Sequence, residues 1–307
     1  MPRTLPLALA LLASLPLLSA CAGRAGDGTA ARPFRVVSDR TVTGFPFPES
    51  VGCDAGARVL YVSQFVSALR PADKDGKGRI SKVSPTGEMI DAQFLPGPGD
   101  VLNKPKGIWV ERNRLWVTDI DVVWVFDTGT RKGRRLPLPG ANFANDPAVV
   151  GKALYVSDNR GDALYRVEPA DFLDEKVEPK VTRVLSGKSI NPNGVYPGRD
   201  GTVLMVGFKS ADEPRGIHAL GAGGDVKPLS KEIGQLDGVY QAADGTLLVT
   251  DWKSASLIAW RPSGEIQTLA GGFKGPADFG VMADGRRLLV VVPDLVKSEL
   301  RLIQLEQ

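Results

Sequence analysis

The sequence has a single histidine, His218, and only two cysteines, Cys21 and Cys53, among its 307 residues. One histidine excludes any metal site that needs two imidazole ligands. Basic residues exceed acidic ones by only three, 38 against 35, which is too small an excess to indicate a nucleic-acid partner. No segment after residue 21 keeps a helical apolar period beyond about two turns. The 35 glycines and 23 prolines instead indicate short strands joined by many turns.

The first 21 residues resemble a bacterial lipoprotein signal. Arg3 supplies a positive start, and residues 5–20 carry no charge over sixteen positions. That length is short of the ~20 residues that span a bilayer and is typical of a signal peptide. The run ends in a small residue, Ala20, directly before Cys21, as in a lipobox. The resemblance implies cleavage before Cys21 and its acylation, whereas the alternative is an ordinary signal with an incidental cysteine.

This interpretation predicts how the chain is organised and where the protein is found. Residues 1–21 form the signal, residues 22–33 form a flexible tether because they are small, polar and Gly-rich, and residues 34–307 form one domain. Cys53 is then the only unmodified cysteine, so no intrachain disulfide is expected. We expect a monomer in a bacterial cell envelope, facing the periplasm and held to the membrane only by its lipid.

One pattern recurs six times in the remaining chain: a polar residue, an apolar strand, a Gly or Asp-Gly turn and a second apolar strand. We call the six polar residues the channel anchors; they are Glu49, Lys106, Asn145, Asn193, Asp237 and Asp278. Successive anchors are 39 to 57 residues apart. A period of about 40–50 residues built from short strands is typical of a β-propeller with four strands per blade. The sequence therefore predicts an all-β fold with six blades.

The last blade has too few strands in the sequence. Residues 300–305 read as its third strand, after which the chain soon stops. Residues 34–37 precede the first blade and have no other place. They are therefore predicted to pair with the last blade, which closes the ring and removes an exposed sheet edge.

The channel anchors are the candidate functional residues. The first strand of each propeller blade lines the central channel, so all six side chains are expected to converge at one end of it. Carboxylate and amide oxygens are hard donors that suit Ca²⁺, Mg²⁺ or Mn²⁺. The alternative is that these polar groups only form hydrogen bonds across a wet channel.

Five short motifs around the anchors are similar to those of the SMP-30/gluconolactonase/luciferin-regenerating enzyme family of six-bladed propellers. They are Pro48-Glu49, Asn145-Asp146, Pro192-Asn193-Gly194, Leu236-Asp237-Gly238 and Pro276-Ala277-Asp278. The resemblance implies one divalent cation bound by Glu49, Asn193 and Asp237. Ca²⁺ is favoured, and Mg²⁺, Mn²⁺ and Zn²⁺ are also compatible. The resemblance further implies that Asn145 orients the substrate and that Asp237 is the catalytic proton acceptor.

The function that this resemblance implies is metal-dependent hydrolysis of a small-molecule lactone or related ester. One departure concerns the substrate, since Phe143 stands where many family members carry an arginine that grips it. Lys106 is the candidate substitute for that positive charge, whereas the alternative is that it only balances neighbouring carboxylates. Phe143 also favours a second interpretation, a non-catalytic lipid-tethered propeller that binds a ligand or a protein. A third is another chemistry, such as that of strictosidine-synthase-like propellers.

Replacing the candidate acylation site tests the lipoprotein interpretation. Cys21→Ser is expected to release the protein from the membrane fraction or to leave it unprocessed, because no other segment is predicted to hold it there. The measurement is fractionation followed by a high-salt wash. A processed mutant that stays in the washed membranes would show that the lipobox interpretation is wrong.

Overall fold

The computed structural model describes Met1, Pro2 and residues 33–307. Cys21 and nearly all of the predicted signal and tether lie outside the described residues, so these assignments stay predictions. Among the residues described, no helix is long and apolar enough to cross a membrane.

Residues 35–306 form six four-stranded antiparallel sheets, which are the six predicted blades. Blade 1 contains β2 (Pro48–Asp54), β3 (Val59–Gln64), β4 (Arg79–Val83) and β5 (Met89–Leu95). Blade 2 contains β6 (Pro105–Glu111), β7 (Arg114–Asp119), β8 (Val122–Asp127) and β9 (Gly133–Pro137). Blade 3 contains β10 (Ala144–Val150), β11 (Ala153–Asp158), β12 (Ala163–Glu168) and β13 (Lys180–Ser186).

The second half of the chain repeats this arrangement. Blade 4 contains β14 (Pro192–Pro197), β15 (Val203–Gly207), β16 (Ile217–Leu220) and β17 (Val226–Pro228). Blade 5 contains β18 (Leu236–Gln241), β19 (Leu247–Asp251), β20 (Ser256–Trp260) and β21 (Ile266–Ala270). Blade 6 contains β22 (Gly280–Asp284), β23 (Arg287–Asp294), β24 (Glu299–Glu306) and β1 (Arg35–Thr43).

The apolar core lies between neighbouring blades. One buried cluster, for example, joins Trp116 and Val125 of blade 2 to Leu154 and Val167 of blade 3. The second strands are buried along their whole length in β3 and β19, whereas the fourth strands are mostly exposed. Burial therefore decreases from the second strands toward the outer edge of each blade. Those of blades 1 to 5 contact one another in succession, and β22 contacts β2.

The predicted ring closure is confirmed. Strand β1 pairs antiparallel with β24 from Arg35 opposite Glu306 to Thr43 opposite Glu299, which is longer than the predicted pairing. Phe34, just before β1, is 3% exposed and belongs to the cluster that contains Ile303 and Leu257. The segment that directly precedes blade 1 thus supplies the outer strand of the last blade.

Removal of β1 should destabilise the fold. A chain that begins at residue 44 should lose about 3 kcal/mol or more of unfolding free energy relative to a chain that begins at residue 33. It loses a buried phenylalanine and a complete row of strand hydrogen bonds. Urea unfolding of the two truncations measures the difference. Equal stability would contradict closure by this strand.

Candidate functional site

The site is built where the first strands of blades 1 to 5 depart from regular pairing. In blade 3, Ala144 pairs with Asp158, but the next paired residue is Pro147, opposite Val156. The same break occurs at the anchor of blades 1, 2, 4 and 5. Such a break leaves backbone N–H and C=O groups without ladder partners inside the protein, where each needs another hydrogen bond.

Hydroxyl groups of the second strands supply these bonds and connect the blades. Ser157 Oγ accepts a hydrogen bond from the backbone N–H of Asp146 at 2.9 Å and donates one to the carbonyl of Asn193 at 2.6 Å, in the next blade. We call this arrangement a hydroxyl bridge. Thr250 bridges Gly238 and Ala277 in the same way, at 2.8 and 3.0 Å, and Thr118 donates to the carbonyl of Asn145. Each bridge therefore fixes the backbone of an anchor to the preceding blade.

Aspartates at the ends of the second strands hold the segments that lead into the anchors. Asp119 accepts hydrogen bonds from the backbone of Asn103 and Lys104, both at 2.8 Å. Asp158 accepts one from the backbone of Phe143 at 2.9 Å, and Asp251 accepts one from Gln235 at 2.8 Å. These three carboxylates stabilise the backbone, so the candidate groups for chemistry in the channel are the anchors.

Five of the six predicted anchors line one cavity of about 560 Å³. They are Glu49, Lys106, Asn145, Asn193 and Asp237, none more than 5% exposed. These five residues are spread between positions 49 and 237 of the sequence. The propeller fold nevertheless brings them together at one cavity, as the repeat predicts.

The sixth predicted anchor, Asp278, is wrongly placed by the sequence pattern. Thr250 bridges to the carbonyl of Ala277, so Ala277 occupies the anchor position of blade 6. Asp278 lies one residue further along, accepts a hydrogen bond from Ser50 Oγ, and lines a second cavity of about 220 Å³ together with Asp146. The structure therefore has two layers of acidic residues along the channel.

Glycines make room for this second layer. A Cβ atom on Gly107 would lie 2.2 Å from Asp146 Oδ1, and one on Gly238 would lie 2.8 Å from Asp278 Oδ1. Both distances are too short for real contacts, so only glycine allows these carboxylates to sit against the neighbouring blade.

Several buried oxygens of the site have no hydrogen-bond partner among the described residues. They are Glu49 Oε2, Asn145 Oδ1, Asp146 Oδ1 and Asp237 Oδ1. The remaining polar contacts of the anchors are few: Asn145 Nδ2 donates to Asn193 Oδ1, and Trp252 Nε1 donates to Asp237 Oδ2 at 2.8 Å. A buried polar atom without a partner costs about 1–3 kcal/mol, so these oxygens favour a ligand that supplies positive charge.

The shifted pKa values of the channel groups also favour a bound cation. Burial, followed by repulsion from Asp237, raises the pKa of Glu49, and burial and the nearby Asp278 raise the pKa of Asp237. Burial also raises the pKa of Asp278 to about 7. Burial lowers the pKa of Lys106 to about 8 although Glu49 opposes the change. One lysine does not neutralise the three buried carboxylates of Glu49, Asp146 and Asp237 and the half-buried one of Asp278, and a cation between them would favour their ionised forms.

The donor set fits a hard divalent cation bound partly through amides. In the described part of the chain, no group of three or more His, Cys, Asp or Glu side chains is arranged to hold a metal ion. A cation here would therefore take Glu49 and Asp237 together with amide oxygens from Asn193 and Asn145. Two carboxylates and neutral oxygens match the preference of Ca²⁺ or Mg²⁺ better than that of Zn²⁺.

Apart from Phe143, the residues that line the cavity opposite the anchors are not predicted from the sequence. The residues that directly follow the second strands line it: Phe65, Asn159, Phe208, Trp252 and Leu295. We call them the mouth ring. Their common position after five of the six second strands is a periodic signal that the sequence contains, but it becomes visible only once the strand ends are known.

Comparisons with solved structures identify the fold. A catalytically inactive histidine-to-alanine variant of virginiamycin B lyase from Staphylococcus aureus, with quinupristin, is 15% identical with a TM-score of 0.60, covering 90% of this chain and 100% of that one. A protein provisionally described as a gluconolactonase is 16% identical with a TM-score of 0.61, over 87% and 92% of the two chains. A calcium-binding protein, regucalcin, from Agrobacterium tumefaciens is 15% identical with a TM-score of 0.58, over 86% and 92%.

These likenesses show the propeller fold. The neighbours include a protein described as a gluconolactonase and regucalcin, which agrees with the fold that the motif resemblance implies. No family model matches the sequence. No curated protein matches it by sequence either.

Removing one hydroxyl bridge should destabilise the protein and loosen the site. Thr250→Val keeps the side-chain shape but leaves the N–H of Gly238 and the carbonyl of Ala277 unpaired, so the unfolding free energy should fall by about 1–3 kcal/mol. Thr250→Ser is the matched control, because Ser157 performs the same bridge in blade 3. Urea unfolding measures both variants, and a valine variant as stable as the serine variant would contradict this role.

Proposed function

We propose that the protein is a metal-dependent hydrolase of a lactone or related ester, and that it acts while tethered to the bacterial cell envelope. The observation that carries the proposal is the group of buried oxygens without partners on Glu49, Asn145 and Asp237 in one cavity. Buried charges that serve only stability are normally paired, whereas unpaired ones at a cavity are typical of ligand sites. The neighbours described as a gluconolactonase and as calcium-binding support the same choice.

The proposed ligands are Glu49, Asn193 and Asp237, with Asn145 beside them. When bound there, a divalent cation supplies a Lewis acid that polarises an ester carbonyl and acidifies a water. The hydrogen bond between Asn145 Nδ2 and Asn193 Oδ1 orients both amides and leaves Asn145 Oδ1 free. The chain thus holds its oxygen donors in a fixed arrangement, which is what a preorganised site requires.

Asp237 is the proposed proton acceptor. Trp252 binds its Oδ2 atom, so the carboxylate is oriented and Oδ1 has no protein partner. The water that attacks the carbonyl carbon gives a proton to Asp237. The C–O bond of the ester then breaks, and the leaving oxygen takes up the proton that Asp237 accepted, which returns Asp237 to its carboxylate form. A lactone yields a hydroxy acid in this way, and an open ester yields an acid and an alcohol.

Lys106 is proposed to bind substrate. Its ammonium group is fully buried, and its Nζ donates to the carbonyl of Lys104 at 3.2 Å, leaving further N–H groups for a carbonyl or carboxylate oxygen. The lysine takes the role that the missing arginine at Phe143 would have. The single histidine, His218, lies in β16 and lines neither channel cavity, which favours hydrolysis without an imidazole base over the chemistry of the lyase neighbour.

The proposed setting rests on the first 21 residues. The short uncharged run and the Ala20-Cys21 junction support a lipid tether, a periplasm-facing protein and membrane contact through that lipid alone. The near balance of charge, +3 overall, supports a small-molecule substrate rather than a nucleic acid. We propose that the protein acts as a monomer.

Chelation tests the proposed metal site. EDTA should lower the unfolding temperature, and Ca²⁺ or Mn²⁺ should restore it, because a ligand at a hundredfold excess over its Kd adds about 2.7 kcal/mol of stability. Asp237→Asn should abolish most of this response and any lactone or ester hydrolysis with it. The exposed Asp284→Asn is the matched control and should respond like the wild type.

Two results together would contradict the proposal: no effect of EDTA on the wild type, and an Asp237→Asn variant that is as stable as its parent or more so. Without a cation, removing that charge only relieves repulsion within the channel.

A further inference from the structure

The upper part of the cavity is walled by aromatic rings. Phe65, Phe143, Phe208 and Trp252 all line it, and Phe208 meets Trp252 edge to face, with ring centroids 5.5 Å apart and planes at 90°. Leu69, Pro71 and Leu295 complete this apolar wall. The polar anchors lie near the start of the first strands and line the opposite part of the cavity. We call the aromatic and apolar residues the wall of the cavity and the anchors its floor.

Positive groups are placed on these rings. Lys106 Nζ lies 4.6 Å from the centroid of Phe143 and 5.8 Å from that of Phe65, and the Arg160 guanidinium lies 4.1 Å from the centroid of Phe143. Lys209 also lines the cavity. A ligand that enters therefore meets aromatic surface and cations before it reaches the carboxylates of the floor.

The wall is held in place before any ligand binds. The side chain of Asn159 donates to the carbonyls of Asn191 and Phe208 at 2.8 and 2.7 Å, and its backbone N–H donates to the carbonyl of Phe143 at 3.1 Å. One residue thus connects the two loops that carry Phe143 and Phe208. A preorganised wall loses little conformational entropy when a ligand binds.

We propose that this cavity selects a flat aromatic ligand that bears a carboxylate or ester carbonyl, so that the substrate class is an aryl lactone or aryl ester rather than a polyhydroxy sugar lactone. The rings supply stacking surface for the aromatic part, and the free N–H groups of Lys106 supply donors for the oxygen. A sugar would lose water from those of its hydroxyl groups that lie against the aromatic rings, which offer them no polar partner.

This inference rests on the proposed function for the reaction but not for binding, which is tested separately. The probes are 2-naphthoate and D-gluconate, which carry the same single negative charge but differ in having a ring system or a polyol chain. Calorimetry on the full chain with Ca²⁺ present should show 2-naphthoate binding at least about tenfold more tightly. Equal affinity, or tighter binding of gluconate, overturns the proposal.

Two phenylalanine variants locate the binding. Phe143→Leu keeps an apolar side chain but removes the ring, and should weaken 2-naphthoate about tenfold. The matched control is Phe94→Leu, since Phe94 also carries cations on its ring, Lys82 at 5.3 Å and Arg131 at 4.7 Å, but lies outside the cavity. It should leave the Kd unchanged. An unchanged Kd in Phe143→Leu, or an equal loss in both variants, overturns the assignment.

Turnover separates this inference from the proposed function. If 2-naphthoate binds as expected but neither dihydrocoumarin nor glucono-δ-lactone is hydrolysed, the hydrolase proposal fails and the aromatic specificity stands. If glucono-δ-lactone is hydrolysed with a higher kcat/KM than dihydrocoumarin, the hydrolase proposal stands and the aromatic specificity is wrong.

Discussion

The hydroxyl bridges between blades are the interaction on which the site depends. The pairing of each first strand breaks at its anchor in blades 1 to 5, and the break leaves backbone groups that a buried position must satisfy. Ser157 and Thr250 satisfy them and at the same time bind the carbonyl of the next blade's anchor position. The backbones of Asn145, Asn193 and Ala277 are therefore each held by two blades. The side chains of the anchors are therefore not needed to hold the backbone, and several of their oxygens have no partner among the described residues.

Rigidity and charge are linked in this arrangement. Glu49, Asp146 and Asp237 are buried and Asp278 is half-buried, and burial with mutual repulsion raises the pKa values of Glu49, Asp146 and Asp237. Flexible carboxylates would move apart or toward water, but strands fixed by the bridges and by Gly107 and Gly238 keep them close. The fold thus maintains a negative channel below an aromatic, positively charged mouth. A cation at the floor and an aromatic oxygen compound above it would complement the two regions.

The sequence predicts the six blades and the closing strand because both depend on local patterns, namely alternating apolar strands and polar anchors. It predicts five anchors correctly, since a polar residue precedes the same strand pattern each time. It fails at Asp278 because blade 6 carries an apolar residue, Ala277, at the anchor position, whereas the pattern selects the polar residue that follows it. The mouth ring was missed because its members share no residue type, and only the ends of second strands such as β15 and β19 place Phe208 and Trp252 at the cavity. The identity of the ligand depends on the three-dimensional combination of these residues and is not contained in any single motif.

The central claim is that the channel anchors bind a divalent cation. A crystal soaked in Mn²⁺ tests it directly, because the anomalous signal of manganese locates the ion without reference to activity. We predict one strong anomalous peak within about 2.0–2.6 Å of carboxylate oxygens of Glu49 and Asp237 and of the amide oxygen of Asn193. A channel without a peak at these atoms, or a peak only beside Asp146 and Asp278, would contradict it.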